Sequence, residues 1–325
     1  QRLHLALPPV DYDLGDRHSK VVAGYAIQQR LAFSADELVY RVEPPPNVEA
    51  AIGGEMVKVV PKSMVSRSID ALRRVQRTLQ IMQSMSGRWS HPNLARTLQT
   101  YHSPLCLYIR MECAGTESLC QRMKALAAGT KALSADQCRF VITQLASVVT
   151  HLHNGPRICH RDIKPENVAL SETPEGDMHI KLVNFDTAAV QPLGGMCKLK
   201  SGTFPFAAPE VAESKYDGMA ADMWSVGVLL LELACGVGII ERTVCQLDVA
   251  EPGCHNSFFP KTAMKKVRKA LSSEVWVRQT LEEHCAQELK GMHAWYRSAL
   301  PHLNRVAPPS RWTAEQLLRA VQAEL

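Results

Sequence analysis

Eighteen consecutive residues, 223–240 (MWSVGVLLLELACGVGII), are almost wholly apolar, so the chain must either bury them in a core or pass them through a membrane. The length suits a span. Against that stand Ser225, Glu232, three glycines and an acidic-aromatic start at Asp222 and Trp224, which together suit a helix enclosed by protein. No transmembrane segment is therefore expected. A core of that size is within reach of 325 residues that are 46% hydrophobic and 21% charged, enough for one large or two modest soluble domains. A net charge of +5 is mild and makes no case for nucleic acid as a partner. The chain opens on Gln1 with no leader-type segment, which suggests a processed or trimmed chain whose targeting information is missing.

The pattern changes along the chain. Residues 1–22 are polar and proline-bearing and read as an extension laid against the body. Residues 25–62 alternate enough for three strands, broken at Pro44-Pro45-Pro46 and at Gly53-Gly54. Over 67–85 the apolar positions Ile69, Leu72, Val75, Leu79, Met82 and Met85 recur at three and four, which predicts an amphipathic helix. Strand-like runs follow at 94–100 and 105–112. From Ser134 the character is helical: Ser134-Ala-Asp-Gln137 has capping-box spacing, and Phe140, Val141, Leu145, Val148, Val149 and Leu152 make a broad apolar face behind it. Thr313-Ala-Glu-Gln316 repeats the device before the last helix. A strand-rich first third and a helical remainder predict two unlike lobes that join near Glu112 to Gly115.

His160-Arg161-Asp162-Ile163-Lys164-Pro165-Glu166-Asn167 resembles the catalytic loop of protein kinases. In that chemistry the Asp receives the substrate hydroxyl proton, the Lys steadies the transferring phosphate and the Asn holds a metal ion. The later landmarks come in the family's order: Ala208-Pro209-Glu210, the helix start Asp222-Met-Trp224-Ser-Val-Gly227, and Arg311 as partner of Glu210. The resemblance covers residues 25–325. It implies an α+β, bilobal protein-kinase-like fold, with an extension over 1–22, a small β-rich N-lobe over 23–113 and a larger helical C-lobe over 114–325. Upstream, Glu55-Met56-Val57-Lys58 looks like the strand that carries the phosphate-pairing lysine. Met111-Glu112-Cys113 looks like the hinge, with Lys58, Glu112 and Cys113 implied as a vestigial nucleotide site.

Four departures from the family pattern stand out. The stretch 31–40 (LAFSADELVY) aligns with the glycine-rich loop and puts Ala32, Ser34 and Glu37 at the glycine positions and Asp36 at the tip. Side chains there block the close backbone approach that glycine allows, and each carboxylate about 5 Å from a phosphate charge costs roughly 3 kcal/mol at an effective dielectric near 20. The adjacent helix offers no carboxylate to Lys58, because no Asp or Glu lies between Ala71 and Met111, and Thr78 falls at the glutamate position. Asn184-Phe185-Asp186 stands where the family has its metal-binding Asp-Phe-Gly, with a neutral amide in place of the anionic ligand that magnesium favours. Finally, Met56 replaces the small residue that packs on adenine and is long enough to fill that space.

Taken together the losses lead us to expect a domain that is not an enzyme: a pseudokinase with no bound cofactor, in which Asp162 and Lys164 persist as inactive motif positions and Asn167 and Asn184 as an empty metal site. The rival reading is an atypical protein Ser/Thr kinase without a glycine-rich loop, with Asp162 as base, Lys58 on phosphate and Asn184 with Asn167 supporting a metal. The pattern is similar to the with-no-glycine-loop group of secreted apicomplexan kinases and pseudokinases. That resemblance implies secretion into the parasitophorous vacuole or cyst wall, and it favours some oxidised pairs among the ten cysteines, notably around Cys245 and Cys254. A scaffold or regulator of this kind needs a protein partner, whose identity is open. One candidate surface is the N-lobe region with Arg73, Arg74, Arg77, Arg88, Arg96 and Arg110, which the sequence leaves unrelieved by acids. Thr187, Ser201 and Thr203, in the stretch before Ala208-Pro209-Glu210, are candidates for modification.

Overall fold

The computed structural model describes residues 21–22, 24–31, 38–45, 53–66, 68–127, 133–173, 176–213, 215–246 and 261–323. The expectations for residues 1–20, for the loop at 32–37 and for Cys254 lie outside the described residues. The N-terminal part is an antiparallel sheet of β1 (Val21–Val22), β2 (Tyr25–Leu31), β3 (Leu38–Glu43), β4 (Glu55–Pro61), β5 (Thr97–His102) and β6 (Cys106–Glu112), in the order β1-β2-β3-β4-β6-β5. β4 is interior to the sheet and buried over its first five residues. That burial explains why it reads as a nearly continuous apolar run in which Lys58 is conspicuous. The register places Lys58 between Val39 of β3 and Ile109 of β6.

Two helices follow β4: the single turn α1 (Lys62–Val65) and α2 (Ile69–Ser86). The Ser68 side chain accepts from the Ala71 N–H to start α2, and the helix stops at Gly87. Its buried face holds Thr78, Leu79, Ile81, Met82 and Met85. Ile69, expected on that face, is exposed in the first turn. The sheet gives way to the helical part through Gly115, where a Cβ would lie 2.2 Å from the Leu170 carbonyl oxygen, so no side chain fits.

Beyond it come β7 (Glu117–Ser118), α3 (Leu119–Ala127) and α4 (Ala135–Asn154), then β8 (Ile158–Cys159), β9 (Val168–Glu172), β10 (Met178–Leu182) and β11 (Ala189–Val190). The remaining helices are α5 (Gly218–Cys235), α6 (Lys261–Leu271), α7 (Glu274–His284), α8 (His293–Leu303) and α9 (Ala314–Gln322). Both capping boxes form, Ser134 with Gln137 on α4 and Thr313 with Gln316 on α9. Phe140 departs from the predicted core face: it is 48% exposed and stands edge-on to His179.

The apolar run 223–240 forms most of α5 and the turn after it. Almost every α5 side chain is buried, including Asp222 and Glu232, so the surrounding helices enclose it as protein core. The nine described cysteines are free thiols, Cys245 among them. Burial pushes the Cys138 and Cys235 thiols up to about 12, which makes both poor nucleophiles at neutral pH. The result is the expected α+β arrangement, a sheet-rich N-terminal part against a helical C-terminal part.

Candidate active site

Asp222, at the start of α5 and fully buried, accepts hydrogen bonds from the backbone amides of His160 at 2.8 Å and Arg161 at 2.7 Å, and pairs with His153 Nε2 at 2.9 Å. Three donors converge on one carboxylate, which is how a buried charge is sustained. They also hold Arg161 at φ 65, a conformation that L residues with long side chains rarely adopt. The imidazole of His160 is fully enclosed, stacked edge-on against Phe185 and bonded through Nε2 to the Val183 carbonyl. Burial pushes its pKa down, so the ring stays neutral.

The strained turn delivers Asp162 into a tight polar cluster. Asn167 Nδ2 donates to the Asp162 carbonyl at 2.7 Å and to its Oδ2 at 3.1 Å. Thr203 Oγ1 donates to Asp162 Oδ1 at 2.7 Å, and Lys164 Nζ donates to that same Thr203 oxygen at 2.9 Å while lying 3.3 Å from Asp162 Oδ2. Sequence reading brought Asp162, Lys164 and Asn167 here but took Thr203 only for a modification candidate. No spacing rule could place it, because the segment between Asp186 and Ala208 folds back over the loop. Its burial at 5% exposure argues against modification.

The second half of the site corrects one expectation. Lys58 has a carboxylate partner: its Nζ lies 3.0 Å from Asp186 Oδ2. The charge that α2 does not supply comes from the opposite side, from the residue that replaces the family's glycine. Thr78, at the vacant glutamate position, donates instead to the Phe185 carbonyl at 3.4 Å. Asn184 adopts φ 63, with Nδ2 3.4 Å from Asn167 Oδ1, and its own Oδ1 is buried without a hydrogen-bond partner. Phe185 is buried and well packed, so Asp186 reaches Lys58 without displacing it.

Lys58, Asn184 and Asp186 line a narrow cavity of about 40 Å³ together with Met56, Met82 and Met111. Met56 is buried in its wall, where its side chain takes up part of the space. At the hinge, the Glu112 carboxylate accepts from Lys181 Nζ and from the Arg96 N–H, each at 2.8 Å. The Cys113 N–H is committed to the Gly54 carbonyl at 2.9 Å. Both residues thus act here as braces between the strands and the linker.

Away from the cavity, Glu210 and Arg311 form the expected buried pair, bidentate, with the guanidinium over the Trp224 ring. The basic N-lobe surface, by contrast, is not unrelieved by acids: Arg110 is held bidentately by the fully buried Glu55 at 2.7 and 2.8 Å, and Arg73 lies 3.6 Å from Asp70.

The comparisons with known proteins agree with this geometry. The profile of the protein kinase domain matches residues 53–321. Sperm motility kinase 2B of Mus musculus is 29% identical over 206 residues, covering 63% of this chain and 40% of that protein. Serine/threonine-protein kinase SIK1 of Rattus norvegicus is 33% identical over 181 residues, 55% of this chain and 21% of its own. Calcium/calmodulin-dependent serine/threonine-protein kinase 1 of rice is 35% identical over 182 residues, 55% and 28% of the two chains. The chain spans less than half the length of these relatives, and nothing in the matches speaks for the narrower apicomplexan group. Relatives named as serine/threonine-protein kinases overturn the expectation that the domain is no enzyme. With a profile match over most of its length and the motifs in family order, the chain belongs to the protein kinase domain family.

Proposed function

We propose that the chain transfers the terminal phosphoryl group of ATP to a serine or threonine hydroxyl of a protein substrate, as an atypical member of its family. The observation that carries the proposal is the cluster of Asp162, Lys164 and Thr203, with Asp162 fixed by Asn167 and by the Asp222-anchored turn. Asp162 takes the proton of the acceptor hydroxyl, whose oxygen forms the new bond to phosphorus as the bond to the departing ADP breaks. Lys164 faces the charge spread over the transferring phosphoryl. Lys58, oriented by Asp186, meets the non-reacting phosphates.

The residues present also suit a divalent cation. Asn184 Oδ1 is a buried acceptor with no hydrogen-bond partner, and it lines the same cavity as the Asp186 carboxylate. Asn167, Asn184 and Asp186 would hold the ion. When bound it neutralises phosphate charge.

The test is transfer of labelled phosphate from ATP to a mixed Ser/Thr peptide pool, with magnesium or manganese, by the wild type and by Asp162→Asn. Incorporation that falls at least a hundredfold in the variant supports the reading. Equal incorporation by the two proteins, or none with either metal, overturns it.

A further inference from the structure

Large exposed hydrophobic side chains are sparse among the described residues, yet four of them fall within the ten residues 190–199. Val190 is 54% exposed, Leu193 84%, Met196 47% and Leu199 54%. Single exposed apolar residues need no explanation, but a local concentration does. The backbone beneath them is fixed. Gln191 N–H bonds to the Arg157 carbonyl, Cys197 exchanges two backbone hydrogen bonds with Tyr216 at 2.8 and 3.0 Å, and the Leu199 carbonyl accepts from Tyr216 Oη and Arg161 Nη1. The stretch is therefore tied down at both ends, and the Gly195 N–H to Pro192 carbonyl bond closes the turn between them, which limits the ordering entropy a ligand must meet.

The charged residues within 187–209 are both basic, and Asp217, the acid that adjoins the segment, already accepts from Gln191 Nε2 and from the Met219 and Ala220 amides. Lys198 and Lys200 are exposed beside Leu199, and no Asp or Glu occurs from residue 187 to 209. A second copy of the chain is a poor occupant, since a two-fold contact through this patch would bring the lysines of both copies together. A basic peptide would be repelled in the same way. The ridge runs directly into the catalytic cluster: Lys200 stands three residues before Thr203, whose hydroxyl touches Asp162. At roughly 3.3 Å per extended residue that is about 10 Å of chain.

We propose that this ridge is the substrate-recognition surface, and that it selects peptides carrying acidic residues within about three positions of the acceptor hydroxyl together with an apolar side chain. Lys198 and Lys200 meet the acids, and Leu193, Met196 and Leu199 cover the apolar group. The proposal rests on the phosphotransfer reading for the chemistry after binding, but recognition itself is measurable without transfer.

The experiment uses three fluorescent serine peptides of equal length, one acidic with leucine, one basic with leucine and one acidic without an apolar residue. Each is titrated by anisotropy into the whole chain and into Lys198→Glu/Lys200→Glu and Leu193→Ser/Leu199→Ser, all exposed positions, with folding checked by circular dichroism. We expect the acidic leucine peptide to bind about tenfold tighter than either other peptide. The lysine variant should reverse the charge preference, the leucine variant should abolish the apolar gain, and added salt should shrink the first effect but not the second. The same peptides are then offered with labelled ATP. Selective binding without transfer upholds the recognition surface and sinks the catalytic reading. Equal binding of the three peptides, or preference for the basic one, overturns the recognition surface, whether or not phosphate is transferred.

Discussion

Replacing Thr203 by valine removes one hydroxyl and almost no volume, and the structure says what that hydroxyl does. It donates to Asp162 Oδ1 at 2.7 Å and accepts from Lys164 Nζ at 2.9 Å, so it fixes both charged groups relative to each other. A hydrogen bond to a charged group contributes about 1.5–3 kcal/mol. Two are lost in the variant, but Lys164 already lies 3.3 Å from Asp162 Oδ2 and recovers one by closing on it. The net deficit is about one such bond, roughly 1.5–3 kcal/mol, which corresponds to about a 10- to 150-fold fall in kcat. Thr203→Ser keeps the hydroxyl and should stay within about threefold of the wild type. Single-turnover phosphate transfer measures kcat apart from substrate binding, and thermal unfolding shows whether the protein itself has weakened. If Thr203→Val loses less than about threefold, or if Thr203→Ser falls as far as the valine variant, the hydroxyl is not what positions Asp162 and the reasoning fails.

Three further outcomes are expected from the same kind of contact. Asp186→Asn removes the carboxylate facing Lys58 and should lower transfer by about a hundredfold, while costing under about 1 kcal/mol in urea unfolding because Asp186 is half exposed; unchanged transfer would remove Asp186 from the site. Arg110→Met takes the bidentate partner from the fully buried Glu55 and should cost about 1.5–3 kcal/mol, with the double variant Glu55→Gln/Arg110→Met recovering part of it; a single-variant cost below about 0.5 kcal/mol would contradict the burial argument. Burial, with His151 and Lys181 nearby, pushes His91 down to about 4. A group depressed in the folded state binds its proton in the unfolded chain first, so stability should fall as pH drops from about 6.5 to 4. His91→Gln should flatten that slope by about 1 kcal/mol after allowance for solvent screening, and an unchanged slope in acid-titrated unfolding would exclude His91.

The catalytic loop was legible in the sequence because its chemistry is contiguous: eight neighbouring residues state both identity and spacing. The buried pair of Glu210 and Arg311 was legible for a related reason, since each end is flagged by its own motif. Lys58 shows where this stops. The search for its partner ran along α2, where no acid exists, and the absence was real; the partner is Asp186, 128 positions away, which sequence reading had counted as the loss of a glycine. A substitution that removes one device and installs another cannot be told from simple loss until both side chains share a cavity. Arg110 failed in the opposite sense. Its neighbours in sequence are uncharged, but the sheet register sets Glu55 across from Glu112 on the adjacent strand, and the Glu55 carboxylate reaches the guanidinium. Asp222 was marked as a helix start, and its grip on the two loop amides needs a fold to bring α5 under β8.

In an ordinary member of the family the strand lysine takes its partner from the adjacent helix, and the metal ligand comes from elsewhere, so two moving parts must agree before the site is complete. Here the lysine's partner and the Asn184 amide, whose oxygen has no hydrogen-bond partner, are two residues apart. Withdrawing that one short segment takes the Asp186 carboxylate from Lys58 and the Asn184 amide oxygen from the cavity together, and the hydrogen bond from Thr78 to the Phe185 carbonyl ties the same segment to α2. Two contacts that the family places on separate elements thus ride on one short segment, and a push on that segment reaches both.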